Sequence, residues 1–211
     1  MHNGILKNRI EAGILLSERL KKYQHTDSII LAVPRGGVPV GYEIARRLHL
    51  PLDIVLSKKI GHPSNKEFAI GAVSLDTIIL NKQTTVPKEY IEKEIEQVKK
   101  TLKEKDGFYR KNRSPLDIEE KNVIVVDDGI ATGNTLLASI ALLRKKHPAK
   151  IIVAVPVIPY ENIPIFEEST DEFIYLMAPK YFRGVGGFYE DFPQVEDEEV
   201  IQMLNLTNPN K

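Results

Sequence analysis

The chain has 211 residues, ordinary apolar content and a formal net charge of zero, which excludes a disordered chain and a globally basic nucleic-acid binder. It has no cysteine, which excludes disulfides and thiolate metal sites and leaves the redox compartment open. The opening MHNGILKNRIEAG lacks the apolar core of a secretory signal, and no apolar run approaches the roughly 20 residues that span a bilayer. The expectation is a cytoplasmic protein with no nucleic-acid and no membrane partner.

Ile5 to Tyr23 reads as a helix with Ile10, Ile14 and Leu20 toward a sheet. Ser28 to Val33 is a continuous apolar run, hence a buried strand. It runs into Pro34-Arg35-Gly36-Gly37, and Val38 to Leu48 follows as a helix. Paired glycines let a bulky anion approach the backbone amides, and Arg35 adds a permanently charged, planar donor array. Leu52 to Leu56 is the next strand. Ser57 to Lys66 is polar and carries glycine and proline, so it reads as a loop. Phe68 to Leu75 and Thr77 to Leu80 read as two further strands.

Thr85 to Lys105 reads as a helix, with Thr85 as its cap and an apolar stripe of Ile91, Ile95, Val98 and Leu102. Asp106 to Asn122 is irregular and reads as a surface crossover, which leaves Tyr109, Arg110 and Arg113 outside the site. Then comes VIVVDDGIATGNT, from Val123 to Thr135. Its first four residues do not alternate, so both faces of the strand should be buried. Asp127 and Asp128 fall where that strand ends, and ligands of open α/β sheets bind at the carboxyl ends of strands. Gly129, Ile130, Ala131, Thr132, Gly133, Asn134 and Thr135 form a small-residue turn into a helix, which suits a phosphate. That helix runs to Lys146, and Ile151 to Val155 is another buried strand. From Pro156 the chain is rich in proline, glycine and aromatic residues. Phe173 to Leu176 reads as a short strand and Val195 to Leu204 as a helix. The five histidines show no zinc spacing, and no nucleophile elbow or Walker loop is present.

The strand, the Asp-Asp pair and the Thr-Gly-x-Thr turn together resemble the signature of the type I phosphoribosyltransferases, which use 5-phosphoribosyl-1-pyrophosphate (PRPP). PRGGVPVG resembles that family's pyrophosphate loop, particularly in purine-salvage members. With HPSNKEFAIGAV and the FYEDFP tail, nearly the whole chain resembles a subgroup of phosphoribosyltransferases of unassigned substrate. One position departs: Gly129 stands where the family usually has an apolar side chain, which bears on the local shape beside sugar and base.

The resemblance implies an α/β fold with a mostly parallel five-stranded sheet flanked by helices and a C-terminal hood. One domain would cover residues 1–211, with an N-terminal helix over 4–23, a core over 27–155, and the hood and last helix over 156–211. Asp127 and Asp128 would hold the ribose hydroxyls, Pro34 to Gly37 the pyrophosphate and Gly129 to Thr135 the 5′-phosphate. The peptide between Pro34 and Arg35 would be cis. A mobile loop would carry Lys58 and Lys59 to the pyrophosphate, although a solvated loop accounts equally for both lysines. Phe188 and Tyr189 are candidates to stack on the base, or simply to pack the hood. Mg²⁺ would be the cofactor, held by substrate oxygens and water, with Asp127 and Asp128 reached through water rather than as direct ligands. The expected reaction transfers ribose 5-phosphate from PRPP to a nitrogenous base, by preference a purine, and the expected assembly is a homodimer. Two alternatives stand beside it: a non-catalytic sensor of PRPP or nucleotide, and transfer to a non-base amine.

Overall fold

The computed structural model describes residues 4–81, 86–111 and 113–207. The main sheet contains β1 (Ser28–Ala32), β2 (Leu52–Ile54), β6 (Asn122–Val126), β7 (Lys150–Val157) and β8 (Glu172–Met177). Its order is β2-β1-β6-β7-β8 and every pairing is parallel. The smaller sheet, β3 (Ser57–His62), β4 (Asn65–Ser74) and β5 (Ile78–Leu80), is antiparallel. The helices are α1 (Arg9–Arg19), α2 (Gly37–Leu48), α3 (Lys88–Arg110), α4 (Asn134–Arg144), α5 (Ile163–Ser169) and α6 (Asp197–Thr207).

The continuous apolar runs are strands because both of their faces are covered. Ile30, Ala32, Ile124, Val126, Ile152 and Ala154 pack with α1, α2 and α6. Ile29, Leu31, Val123, Val125, Ile151 and Val153 pack on the other side with α4 and α5. Successive residues of one strand thus serve opposite layers, which removes the alternation that marks half-exposed strands. The order of the strands reverses direction between β1 and β6. Such a switch point opens a crevice at the strands' carboxyl ends.

Four local expectations differ from the structure. The first helix starts only at Arg9, with the Asn8 side chain accepting from the Glu11 amide as its cap. Leu6 before it is extended and bridged to Tyr189. The inward face of α1 is Arg9, Ala12, Gly13, Leu16 and Ser17, while Ile10 is exposed. The reason is close approach: a Cβ on Gly13 would sit 2.6 Å from the Glu43 Cβ of α2. Small residues therefore face the partner helix, and a large Ile10 does not fit there.

Residues 57–62 form a strand, not a loop. Ile60 anchors the strand in the core, and the Tyr90 hydroxyl donates to the Gly61 carbonyl at 3.0 Å. Lys58 is exposed and Lys59 half-buried on this strand. Helix α3 continues to Arg110, because Tyr109 and Arg110 are buried against polar partners rather than exposed. Its proposed cap, Thr85, lies outside the described residues. Among the described residues, no helix is long and apolar enough to cross a membrane.

Candidate active site

β1 and β6 run side by side, with Ala32 opposite Val126. The turns that follow them therefore leave the sheet together, and the Val33 amide donates to the Val126 carbonyl at 2.8 Å. A Cβ on Gly36 would lie 2.0 Å from Oδ2 of Asp128. A Cβ on Gly37 would lie 2.6 Å from the Val126 carbonyl oxygen and 2.9 Å from the Asp127 Cα. The glycines are thus required by the contact between the two turns. The Pro34–Arg35 peptide is cis, as the family resemblance implies.

The acid pair sits in that contact. The Asp128 amide donates to Oδ1 of Asp127 at 2.8 Å. Oδ2 of Asp128 accepts from Arg9 Nε at 2.9 Å and lies 2.8 Å from the same guanidinium's second nitrogen. The Arg9 and Asp128 side chains are largely buried, 10% and 15% exposed. The third guanidinium nitrogen donates to the Pro193 carbonyl at 2.7 Å, and the group lies 3.7 Å over the Phe192 ring. The Tyr189 hydroxyl donates to the Asp128 carbonyl at 2.7 Å, and its ring stacks on Phe192 at 4.7 Å.

Burial raises the pKa of Asp127 well above the ordinary carboxylate range, and the neighbouring Asp128 charge raises it further. Burial also raises Asp128, with Arg9 opposing the shift. Two close carboxyl groups of this kind ionise one after the other, because the second charge must form beside the first.

The turn after the acids is braced from behind. The Ile130 amide donates to the Val157 carbonyl at 2.8 Å, and Asn162 Nδ2 donates to the Ala131 carbonyl at 3.0 Å. Gly133 has φ +75° and backs onto Phe166, 2.7 Å from where its Cβ would be. Helix α4 starts there with no side-chain cap, so the amides of its first turn are left for a ligand. Ala131, Thr132, Asn134 and Thr135 are exposed. Helix α2 likewise begins at the other turn without a side-chain cap. Two positive helix ends therefore flank the acid pair.

The structure brings together Pro34 to Gly37, Asp127, Asp128 and Gly129. The segment from Ile130 to Thr135 continues directly from the acids into α4. Arg35 lies 3.8 Å from both Glu196 and Asp197, at the start of α6. Lys58 and Lys59 are placed on a β-hairpin that packs against α4, where Ser57 Oγ meets Ser139 Oγ at 2.7 Å. Phe188 stacks on Phe182 at 5.5 Å. Tyr189 is buried and tied to Asp128, so it braces the acid pair through its hydroxyl. Gly129 is packed against the hood: its Cβ would fall 2.6 Å from Val185 Cγ1 and 2.8 Å from Val157 Cγ1.

The sequence reading missed Arg9. A signal existed: a cation in the first turn of a helix opposes the dipole, so it needs a compensating anion elsewhere. It also missed the buried pair of Arg110 and Asp53 behind the sheet edge, 2.8 Å apart. Asp53 further accepts from the amides of Ile54 and Leu116, at 2.8 and 2.9 Å.

Fold and site define an α/β protein that presents two anion-receptive turns beside a carboxylate pair, at the switch point of a parallel sheet. Residues 4–176 match the phosphoribosyl transferase domain. Two sequences from Mycobacterium tuberculosis strains, provisionally described as phosphoribosyl transferases, are each 32% identical over 206 residues, covering 95% of this chain and 46% of their own. The chain thus spans about half the length of the curated relatives it matches. The crystal structure of TT1426 from Thermus thermophilus superposes with a TM-score of 0.88 at 35% identity, covering 95% of this chain and 97% of that one. The chain belongs to the phosphoribosyl transferase domain family and has the type I phosphoribosyltransferase fold.

Proposed function

We propose that this protein transfers ribose 5-phosphate from PRPP to a nitrogenous base and releases pyrophosphate. The bond from the anomeric carbon to pyrophosphate oxygen breaks, a bond from that carbon to a ring nitrogen forms, and the nitrogen gives up its proton. The observation that carries this reading is the contact of Gly36 and Gly37 with Asp127 and Asp128. It sets a cationic, glycine-lined turn against two carboxylates, which run directly into the exposed turn at Ala131 to Thr135. PRPP has the matching sequence of groups: pyrophosphate, diol and 5′-phosphate.

In this reading the backbone of Ala131 to Thr135 holds the 5′-phosphate. That remote binding energy fixes the reacting carbon. Asp127 and Asp128 bind the ribose hydroxyls and offset positive charge that develops on the sugar. Arg35 and the turn at Gly36 and Gly37 stabilise charge building on pyrophosphate. Arg35 must leave Glu196 and Asp197 or share them to do so. Lys58 and Lys59, on the hairpin packed against α4, are the further cations offered to the pyrophosphate.

Among the described residues, no group of three or more His, Asp or Glu side chains forms a metal cage. The donors at the site are two carboxylates, each with one oxygen already accepting a hydrogen bond. This set fits Mg²⁺ held by substrate oxygens and water, with Asp127 and Asp128 behind the water. When bound, Mg²⁺ neutralises charge on the leaving pyrophosphate.

The Arg-Gly-Gly turn favours a purine acceptor, and Phe188 is the ring offered to it. A homodimer in the cytoplasm is the setting proposed. The test is incubation with PRPP, Mg²⁺ and a panel of purines, pyrimidines and amines, following pyrophosphate. Turnover with a base is expected. Tight PRPP binding without turnover on any acceptor makes the protein a sensor, and turnover with amines alone moves the nucleophile. The folded double variant Asp127→Asn, Asp128→Asn is expected to lose orders of magnitude of activity; near-wild-type activity would remove the role given to these acids.

A further inference from the structure

Arg9 belongs to the first turn of a helix that only covers the sheet in every other respect. Yet its guanidinium is buried and fully occupied in three directions. Two nitrogens meet one oxygen of Asp128, at 2.9 and 2.8 Å. A third donates to the Pro193 carbonyl at 2.7 Å. One face lies on the Phe192 ring. A buried guanidinium costs desolvation that only a fixed anion offsets.

The segment is held there independently of Arg9. The Leu6 amide donates to the Phe188 carbonyl and the Glu190 amide to the Leu6 carbonyl, both at 2.8 Å. The hood and the start of α1 are therefore one unit. Asp128 is gripped by that unit on one side and pressed on the Gly36 backbone on the other.

We propose that Arg9 is a positioning residue of the sugar site: it clamps Oδ2 of Asp128 between α1 and the hood and fixes the orientation of that acid within the pair. This rests on the phosphoribosyl reading for its catalytic meaning, but not for its physical basis. The groups facing Asp128 are Asp127 from its own strand end, Arg9 from α1, the Tyr189 hydroxyl from the hood and the Gly36 backbone from the neighbouring turn. Of these, Arg9 is the cation bonded to it. Arg9 opposes the rise that burial imposes on Asp128, while burial and the neighbouring Asp128 charge raise Asp127. Because Arg9 also holds Pro193 and Phe192, displacement of the hood at the base side changes the orientation of an acid at the ribose side.

The test uses Arg9→Met, Arg9→Lys and Asp128→Asn, alone and with Arg9→Met. Arg9→Met is expected to lower kcat/KM for PRPP about 100-fold, with Arg9→Lys partly restoring it. The acid limb of the pH profile should move to higher pH in the order wild type, Arg9→Lys, Arg9→Met, because loss of the cation lets Asp128 protonate sooner. On the Asp128→Asn background, Arg9→Met should cost no more than about threefold further. An unmoved acid limb, or losses that simply add, would mean that Arg9 only holds the fold and would overturn the inference. If Arg9→Met does not fold, the acid limb of Arg9→Lys decides: above wild type supports, coincident with it overturns.

PRPP–Mg²⁺ binding to wild type is measured first by calorimetry. No binding there refutes the phosphoribosyl reading alone. The Arg9 inference is then decided by carboxylate ¹³C titration of Asp128, which should have a higher midpoint in Arg9→Met or Arg9→Lys than in wild type; equal midpoints would overturn it.

Discussion

Gly37→Ala puts a methyl group at the seam between the two turns. On the unmoved backbone its Cβ lies 2.6 Å from the Val126 carbonyl oxygen and 2.9 Å from the Asp127 Cα. Both are main-chain atoms of the central strand's end, so no rotamer change relieves the overlap. Reaching ordinary contact, about 3.5 Å, requires the turns to part by about 1 Å. Overpacking of this kind costs about 1–3 kcal/mol, which lowers Tm by about 2–12 °C in a chain of this size. The effect on chemistry should be larger, since a misplacement of about 1 Å costs on the order of 100-fold in rate.

The assay is pyrophosphate release at saturating PRPP and acceptor, with Tm measured on the same samples. Gly107→Ala is the control. A Cβ there meets nothing within 4 Å, and in a helix interior the change stabilises by about 0.5–1 kcal/mol. Wild-type kcat in Gly37→Ala, with Tm lowered as expected, would refute the claim that the contact between the turns sets the reacting geometry. Unchanged Tm would refute the steric argument itself.

Three further outcomes follow from the same structure. Asp127→Asn should abolish turnover yet raise Tm near pH 7. The native carboxyl binds its proton more tightly than the unfolded one, so wild-type stability falls as pH rises from the unfolded pKa through the raised native pKa; the advantage of Asn, read by thermal melts across pH, should vanish below the ordinary carboxylate range. Arg110→Met strands Asp53 in the interior and should cost about 3–5 kcal/mol in urea unfolding, with calorimetric PRPP affinity retained by the molecules that remain folded. Gly129→Ala should push Val185 and the hood outward, raising KM for the acceptor more than that for PRPP. Adding Val185→Ala should recover only part of the acceptor KM, because it removes one of the two side chains that the new methyl meets and leaves Val157 and the positive φ.

The sheet was legible because its strands are uninterrupted apolar runs, and the two turns because glycine, charge and helix starts coincide in each. The small sheet's first strand was not, since Ile60 is its one large apolar side chain and the rest of Ser57–His62 reads as polar. The end of α3 was missed for a related reason. Tyr109 and Arg110 are buried by hydrogen bonds to Asp197 and Asp53, and no periodicity records a polar partner far away in the chain. Arg9 is the sharpest case. Pattern alone favoured Ile10 as the inward residue, and it records neither the close approach of α2 at Gly13 nor the anion at Asp128. Gly129 stood out in the sequence, but the side chain that replaces its missing one, Val185, became visible only with the hood in place.

The clamp on Asp128 also has a temporal consequence. Its contacts join residues 119 and 184 positions apart. Loops of that length must close before the contacts form, and contacts of high sequence separation come at a cost in folding speed. The turn after the acids is braced by Val157, Asn162 and Phe166, whereas the acid beside it reaches its final orientation only after the chain has emerged as far as Pro193. During synthesis the clamp on Asp128 therefore closes only once Pro193 has emerged to meet Arg9.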